Sequence, residues 1–409
     1  MHEKSQNGVF KYPNLGSNKL LCLLKLGQPI ELRMIKMDYG AITVDTSIFD
    51  EKGLKLESGI LKTLEQFNGK PSHLILSEIV VREVQAHLRK KAKEARASIQ
   101  KSIRESKAHL SVSDQSAEAA TKVLVPELDD SKVAERRLEI FVAYTGAEII
   151  PATGRVELDE IIKRYFQAEP PFEDTGKKKN EFPDAIALMS IESWAKDHHT
   201  KVLAVAKDND WKRFADESEY IDVVDDLAEA ISKFQPHSTA IDYTNSIAKL
   251  IPTSEPAELH FLIEQYLIDQ VAEIDVYPEA SSQFFYEPDY VEVMLDSFEF
   301  VCDEAGSAIL QPVQGQNNSL IVEAKIRIVA EASTSFSLSV HDSIDKDYVS
   351  IGSASVSTEI EFEAEALLTF EGDFDEGIEA VELTGFELLS SPSCVDFGEI
   401  EPDWWGEEP

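Results

Sequence analysis

The 409-residue chain has little cysteine: Cys22, Cys302 and Cys394 are odd in number and far apart. That spacing excludes a disulfide framework and a cysteine metal site, and it points to a reducing, cytoplasmic setting. Long apolar runs are missing too. No stretch reaches the roughly 18 residues a membrane-spanning helix needs. The run Leu20-Leu21-Cys22-Leu23-Leu24 is too short for a signal-peptide core and has no small-residue cleavage site behind it. No membrane partner is expected. Basic residues become scarce after residue 236, where Lys249, Lys325, Arg327 and Lys346 face 37 Asp and Glu, a net of −33. The first 235 residues hold only −4 of the total −37. A polyanion is repelled by the second half and tolerated by the first, so the halves read as different domains. A Gly-rich phosphate loop and a Ser/His/Asp arrangement are also absent, which removes those two routes to catalysis.

What is present is a long chain, 43% hydrophobic, with room for two or three domains. Residues 1–36 carry six basic residues against Glu3 and Glu31. They read either as a poorly ordered extension ahead of a clean start at Met37, or as a basic arm that helps hold nucleic acid. From Ile42 strands and helices alternate. Strands are expected over 41–46, 73–76, 147–150, 201–206 and 220–224. Helices are expected over 57–67, 78–109, 156–167 and 183–197, with a helical excursion over 113–146 and a last helix ending near Phe234. Alternation of this kind predicts βαβ units around a parallel sheet over 37–235, with a helical insertion at about 88–170. Residues 236–409 begin with a helix near 255–271. Period-two alternation follows over 319–329 and 360–370, with Glu on one face, which predicts an antiparallel sheet with one solvated side. The tail Trp404-Trp405-Gly406-Glu407-Glu408-Pro409 reads as loop.

Four acids fall where strands of the first region should end or helices begin. Asp45 follows Ala41-Ile42-Thr43-Val44. Asp208 follows Lys201-Val202-Leu203-Ala204-Val205-Ala206, inside Lys207-Asp208-Asn209-Asp210-Trp211. Asp184 opens a helix in Glu181-Phe182-Pro183-Asp184-Ala185-Ile186-Ala187-Leu188. The fourth is Glu83, and Glu78 competes for its role. A helix turns about 100° per residue, so two residues five apart cannot share a face. Ser77 as cap places Glu78 in the first turn, where the helix dipole favours a carboxylate. Glu83 lies among Ile79, Val80, Val81 and Val84 with no such reason, and is the choice. Carboxylates gathered together repel one another unless a cation neutralises them. Hard divalent ions take such oxygen ligands, and open α/β sheets bind ligands at the carboxyl ends of their strands. Asp210 is either a fifth acid of the site or a dipole partner for the helix it begins.

With these residues in place, the chain over roughly 41–235 resembles the PIN domain family of metal-dependent nucleases. Asp45 matches the acid of the strand-one pattern V-D-T-S/N. Glu83 matches the acid six residues after the serine closing strand two, here Ser77. Asp184 matches D-A-x-x-A/L on a helix, and Asp208 the T-x-D-x-D/F pattern. Ala206 departs from that last pattern, because a Thr or Ser is usual there. The resemblance implies a three-layer α/β/α parallel sheet and hydrolysis of nucleic-acid phosphodiesters, usually single-stranded RNA, with Mg²⁺ or Mn²⁺. It implies Asp45, Asp184 and Asp208 as metal ligands and Glu83 as the acid that orients water. The acidic β-rich region after 236 resembles no family.

For substrate, Thr46 and Ser47 are candidate donors to a phosphate. Arg82 and Arg89 head a row of cations on helix 78–109, and Lys178 and Lys179 lie in the loop before Asp184. Such groups give salt-dependent, sequence-poor binding to nucleic acid, or simply a solvated face. Asp197-His198-His199 spells a phosphoesterase signature, but it stands at a helix end without that family's companion acids. An aspartyl-nucleophile phosphatase wants Asp-x-Asp after strand one and meets Asp45-Thr46-Ser47 instead. The competing expectation is a catalytically weak PIN-like module that binds RNA or protein. The acidic second region then serves as a partner surface or as an intramolecular cover for the basic helix.

Overall fold

Five short parallel strands carry the first region. They are β1 (Ala41–Val44), β2 (His73–Ser77), β3 (Glu148–Ile150), β4 (Val202–Val205) and β5 (Ile221–Val224), in the order β3-β2-β1-β4-β5. In this computed structural model the described residues are 39–173, 181–235, 239–253, 257–316, 318–341, 347–374, 376–377 and 380–403. The basic segment 1–36, Lys178, Lys179 and the Trp404–Pro409 tail lie outside them, as do residues 236–238 at the expected domain boundary. Residues 37–409 form one compact unit. All of β1 and β4 is buried, because both sheet faces are covered; these strands therefore read as unbroken apolar runs. The chain steps from β1 outward to β2 and β3, then returns to the other side of β1 for β4 and β5. The β1/β4 boundary is thus the switch point, where a crevice opens at the strands' carboxyl ends.

The covering helices are α1 (Thr46–Glu51), α2 (Gly59–Lys62), α3 (Glu78–His109), α4 (Asp114–Leu124), α5 (Asp130–Thr145), α6 (Leu158–Gln167), α7 (Phe182–Asp197), α8 (Asn209–Glu217) and α9 (Leu227–Ser232). Ser77 caps α3 through its hydroxyl, which accepts from Ile79 N–H at 3.3 Å. The helix expected over 57–67 starts only at Gly59 and tightens into a 3₁₀ turn over Thr63–Phe67. The helix expected over 78–109 and the strand expected at 147–150 are both present within or across the span assigned to the helical insertion, 88–170. Nothing breaks α3 at 88, since it runs from the Ser77 cap to His109. Within the span, Glu148–Ile150 is a strand that pairs in parallel with Ile75–Ser77, occupying the edge β2 would otherwise leave open.

In the second region α10 (Thr239–Leu250) and α11 (Ala257–Ala272) precede a second sheet. Its strands are β7 (Phe285–Pro288), β8 (Glu292–Phe300), β9 (Leu310–Gln316), β10 (Ser319–His341), β11 (Tyr348–Gly372) and β12 (Val381–Leu388). Its path is β12-β11-β10-β7, and β8 and β9 also pair with β10. A separate parallel pair joins β6 (Tyr277–Ser281) to β13 (Cys394–Glu399). The expected strands at 319–329 and 360–370 are the first half of β10 and the second half of β11, paired with each other in one long hairpin. One face of it buries Leu320, Val322, Ala324, Ile326 and Ile328 in a core with Leu259, Ile263, Leu267 and Val271 of α11.

The opposite face was expected to be solvated, and only its outer part is. There Arg327 pairs with Glu299, Glu361 and Glu363 in the open. Nearer the β9–β10 turn, Val313, Ile321 and Leu367 join the apolar core of the first region. Gln66 Nε2 donates to the Val313 carbonyl at 2.6 Å, Gly59 N–H to Glu387 Oε2 at 3.2 Å, and Lys52 Nζ to Glu365 Oε2 at 2.5 Å. The acidic sheet is therefore seated on the first region. No helix among the described residues is long and apolar enough to cross a membrane.

Candidate metal centre

Asp45 directly follows β1 and Asp208 lies just beyond β4, so the two acids stand on either side of the switch point. Each is also a helix N-cap. Asp45 Oδ2 accepts from Ser47 N–H at 3.1 Å and from Ser47 Oγ at 2.5 Å. Asp208 Oδ1 accepts from Asp210 N–H at 3.2 Å. Capping of this kind is worth about 1 kcal/mol per helix and is a sufficient structural reason for an Asp at either place. It does not account for the two acids that join them. Asp184 lies in the first turn of α7, and Trp211 Nε1 donates to its Oδ1 at 3.2 Å. Glu83, in α3, accepts from Thr46 Oγ1 at 2.8 Å.

The four acids act on one another electrically. Burial, then the charges of Asp45, Asp208 and Glu83, push the Asp184 carboxyl up to about 7, although the Trp211 indole pulls the other way. Asp45, only 6% exposed, is raised chiefly by burial, with Asp208 adding to it and the Ser47 and Thr46 hydrogen bonds opposing. Three acids at the N-termini of α1, α7 and α8 are favoured by helix dipoles, yet Asp184 still holds its proton far above the usual carboxylate range. This pocket is short of positive charge.

Residues 42–211 match the model of the PIN domain family. This segment is similar to a PIN domain, and is given that name below. The searches of curated proteins and of solved structures find no match for the chain. The PIN domain is generally a nuclease fold and typically uses divalent metals.

Within the PIN domain the competition between Glu78 and Glu83 has a clear geometry. Glu78 is used structurally: its Oε1 accepts from Ala152 N–H at 2.9 Å and its Oε2 from Arg82 at 3.1 Å. Glu83 is the one turned toward Thr46 and within the electrostatic reach of Asp184. Asp210 is raised to about 6 by burial, then by Asp208 and Glu181, while Arg213 binds it at 2.5 Å. Thr46 and Ser47, expected to donate to phosphate, donate instead to Glu83 and Asp45, and so aim two of the acids. Arg82 is exposed and tied to Glu78. Arg89, Lys90 and Lys93 line a hollow with Asp129, Asp130 and Ser131, farther along α3. Asp197-His198-His199 is structural: Asp197 pairs with Arg155, and the His198 ring stacks on Trp194.

Sequence reasoning passed over three residues. Trp211 sat inside the quoted Asp-Asn-Asp-Trp motif, but an indole holding a carboxylate has no local signature. Glu181 is buried beside the site, and its Oε2 accepts from Glu173 N–H at 3.0 Å. Arg213 bridges Asp210 to Glu173 and to the Pro171 carbonyl.

The donor set suits a hard divalent cation, since every candidate ligand is a carboxylate. The quartet's oxygens are spread, however. Among the described residues the acids with three ligand atoms inside 4.8 Å of one another are Asp226, Glu323 and Glu365, not the quartet. Each quartet acid is instead held by its own hydrogen bond. The arrangement fits an ion that keeps several waters and is gripped directly by one or two carboxylates, as Mg²⁺ prefers.

Proposed function

We propose that the chain is a metal-dependent endoribonuclease that hydrolyses phosphodiester bonds of single-stranded RNA in the cytoplasm with Mg²⁺ or Mn²⁺. The observation that carries this reading is the gathering of Asp45, Glu83 and Asp208 around Asp184 at the sheet's switch point, where burial first and then those three charges raise the Asp184 carboxyl to about 7. Asp45, Asp184 and Asp208 would hold the ion, one or two of them directly and the rest through its waters, with Asp210 beside them. When bound, such an ion acidifies water and neutralises charge developing on the phosphoryl oxygens during in-line displacement. Glu83, aimed by the Thr46 hydroxyl, orients the attacking water. Trp211 fixes the rotamer of Asp184, so the acid is positioned before substrate arrives. Arg82, Arg89, Lys178 and Lys179 supply cations for the RNA backbone, and the affinity they give falls steeply with salt.

The test is cleavage of labelled single-stranded RNA and DNA across a titration of Mg²⁺ and Mn²⁺. RNA cleavage that Asp184→Asn abolishes is the expected result. Metal-replete protein that cuts no nucleic acid overturns it. The second reading, a module that binds RNA or protein without cutting, is favoured by Ala206. This residue is fully buried and brings no hydroxyl to the strand end where the family pattern has one. Wild-type RNA binding without turnover, retained in Asp208→Asn, selects that reading.

A further inference from the structure

A second group of acids lies where the acidic sheet meets the PIN domain. Asp226 caps α9, its Oδ1 accepting from Glu229 N–H at 2.7 Å. Glu323 and Glu365 come from the paired strands β10 and β11. One ligand oxygen from each lies within 4.8 Å of the other two. Acids that gather at an exposed surface mean little, but this group is different at Glu323. That side chain is only 3% exposed. Its Oε2 is one of two buried side-chain oxygens among the described residues with no hydrogen-bond partner, the other being Thr43 Oγ1.

A buried carboxylate without a partner is costly unless it is neutralised. The nearby cation is already engaged, because Lys52 Nζ is bound to Glu365 Oε2 at 2.5 Å and pairs with Glu51 at 3.3 Å. With Asp226, Glu323 and Glu365 ionised, Lys52 offsets one of three negative charges and Lys325 acts on Glu323 as a weaker opposing charge.

We propose that Asp226, Glu323 and Glu365 form a second divalent-cation site, distinct from the acidic quartet, that clamps the acidic sheet to the PIN domain. All-oxygen donors select a hard ion. Calcium, with bonds of about 2.3–2.6 Å, spans oxygens up to about 5 Å apart, whereas magnesium's bonds of about 2.0–2.1 Å require a tighter cage. Three oxygens drawn from a helix cap and two strands suit calcium's flexible coordination better than the near-ideal octahedron that magnesium demands. The ion takes the free Glu323 oxygen and one Asp226 oxygen, and shares Glu365 with Lys52. The alternative way to settle the pocket is a proton on Glu323. Burial, then Glu365 and Asp226, raise that carboxyl to about 8, against the opposing charges of Lys52 and Lys325.

The experiment uses the full chain carrying Asp184→Asn, stripped with chelator and held at pH 8. Thermal unfolding and calorimetric titration are then run with calcium and with magnesium. The proposal expects calcium to raise the unfolding midpoint by several degrees, magnesium by less, and one equivalent of calcium to be lost in Glu323→Gln. The amide imitates the protonated acid, so this variant should be more stable than its parent without metal and gain nothing from calcium. If Glu323→Gln does not fold, Asp226→Asn, which keeps a capping oxygen, replaces it with the same expectation for calcium. Equal stoichiometry and equal calcium shifts in parent and variant overturn the proposal, and so does a parent that no cation stabilises. Neither outcome depends on RNA cleavage, so failure here is separable from failure of the nuclease reading.

Discussion

The chain holds two acidic clusters that manage their charge differently. In the quartet, Asp45 and Asp208 are helix caps satisfied by backbone N–H groups, Asp184 sits in a first turn, and Glu83 takes a threonine hydroxyl. In the trio, Glu323 is more deeply buried and one of its oxygens has no partner at all. Local backbone lets carboxylates gather at the edge of a parallel sheet with only partial strain. On the face of an antiparallel sheet that help is missing, and a proton or a cation must come from outside. A single short helix joins the two settings, since Asp45 caps the start of α1 and Lys52 caps its end.

Four substitutions break or sharpen that comparison. The largest effect is expected at Asp184. Partners that merely orient a metal ligand cost about 10–100-fold when removed, so Asp184→Asn should reduce metal-dependent RNA cleavage by about 100-fold or more with the fold intact by circular dichroism. Unchanged cleavage would remove the quartet from the chemistry.

Next comes the pH dependence of stability in metal-free protein. Glu323 has a folded-state value of about 8 against an ordinary 4.5, so the folded state binds more protons between those values. Stability is therefore greatest below about pH 4.5 as far as this group is concerned, and is lost as pH rises toward 8. Glu323→Gln should flatten that decline and gain a few kcal/mol at pH 8, read by denaturant unfolding at pH 5, 6.5 and 8. Parallel curves for parent and variant would show that the trio is as well satisfied as the quartet.

Thr46→Val keeps shape and removes the hydroxyl that aims Glu83. A loss of about tenfold in cleavage rate is expected, with little change in midpoint. A larger stability loss than rate loss would make Thr46 structural. The smallest effect belongs to Arg327→Ala on the solvated part of the sheet. Its ion pairs are exposed and screened by water, so the midpoint should not move. A drop in midpoint would mean that this outer face is also covered.

Much of the PIN domain was legible because its signals are local. The Ser77 cap and the long run without a breaker set both ends of α3 at Glu78 and His109, and buried β1 and β4 show as short runs without charge, Ala-Ile-Thr-Val and Val-Leu-Ala-Val. Glu83 could be separated from Glu78 by helix phase alone. Of the long hairpin only the first half of β10 and the second half of β11 are legible, because Ala330, Ala332, Ser335, Ser353 and Ser355 carry too weak an alternation to mark a strand. The 3₁₀ turn at Thr63–Phe67 was invisible because its apolar spacing suits an α-helix equally well.

The order of strands and helices, the four acids on their ends and the charge difference between the two halves follow from neighbours along the chain, through propensity, capping and periodicity. The grip of Trp211 on Asp184, the burial of Glu323 and its meeting with Asp226 and Glu365 join residues from 27 to about 140 positions apart. No local pattern encodes such a meeting. It was decided when one face of the second sheet had to bury Val313, Ile321 and Leu367 against the first region and took Glu323 with it.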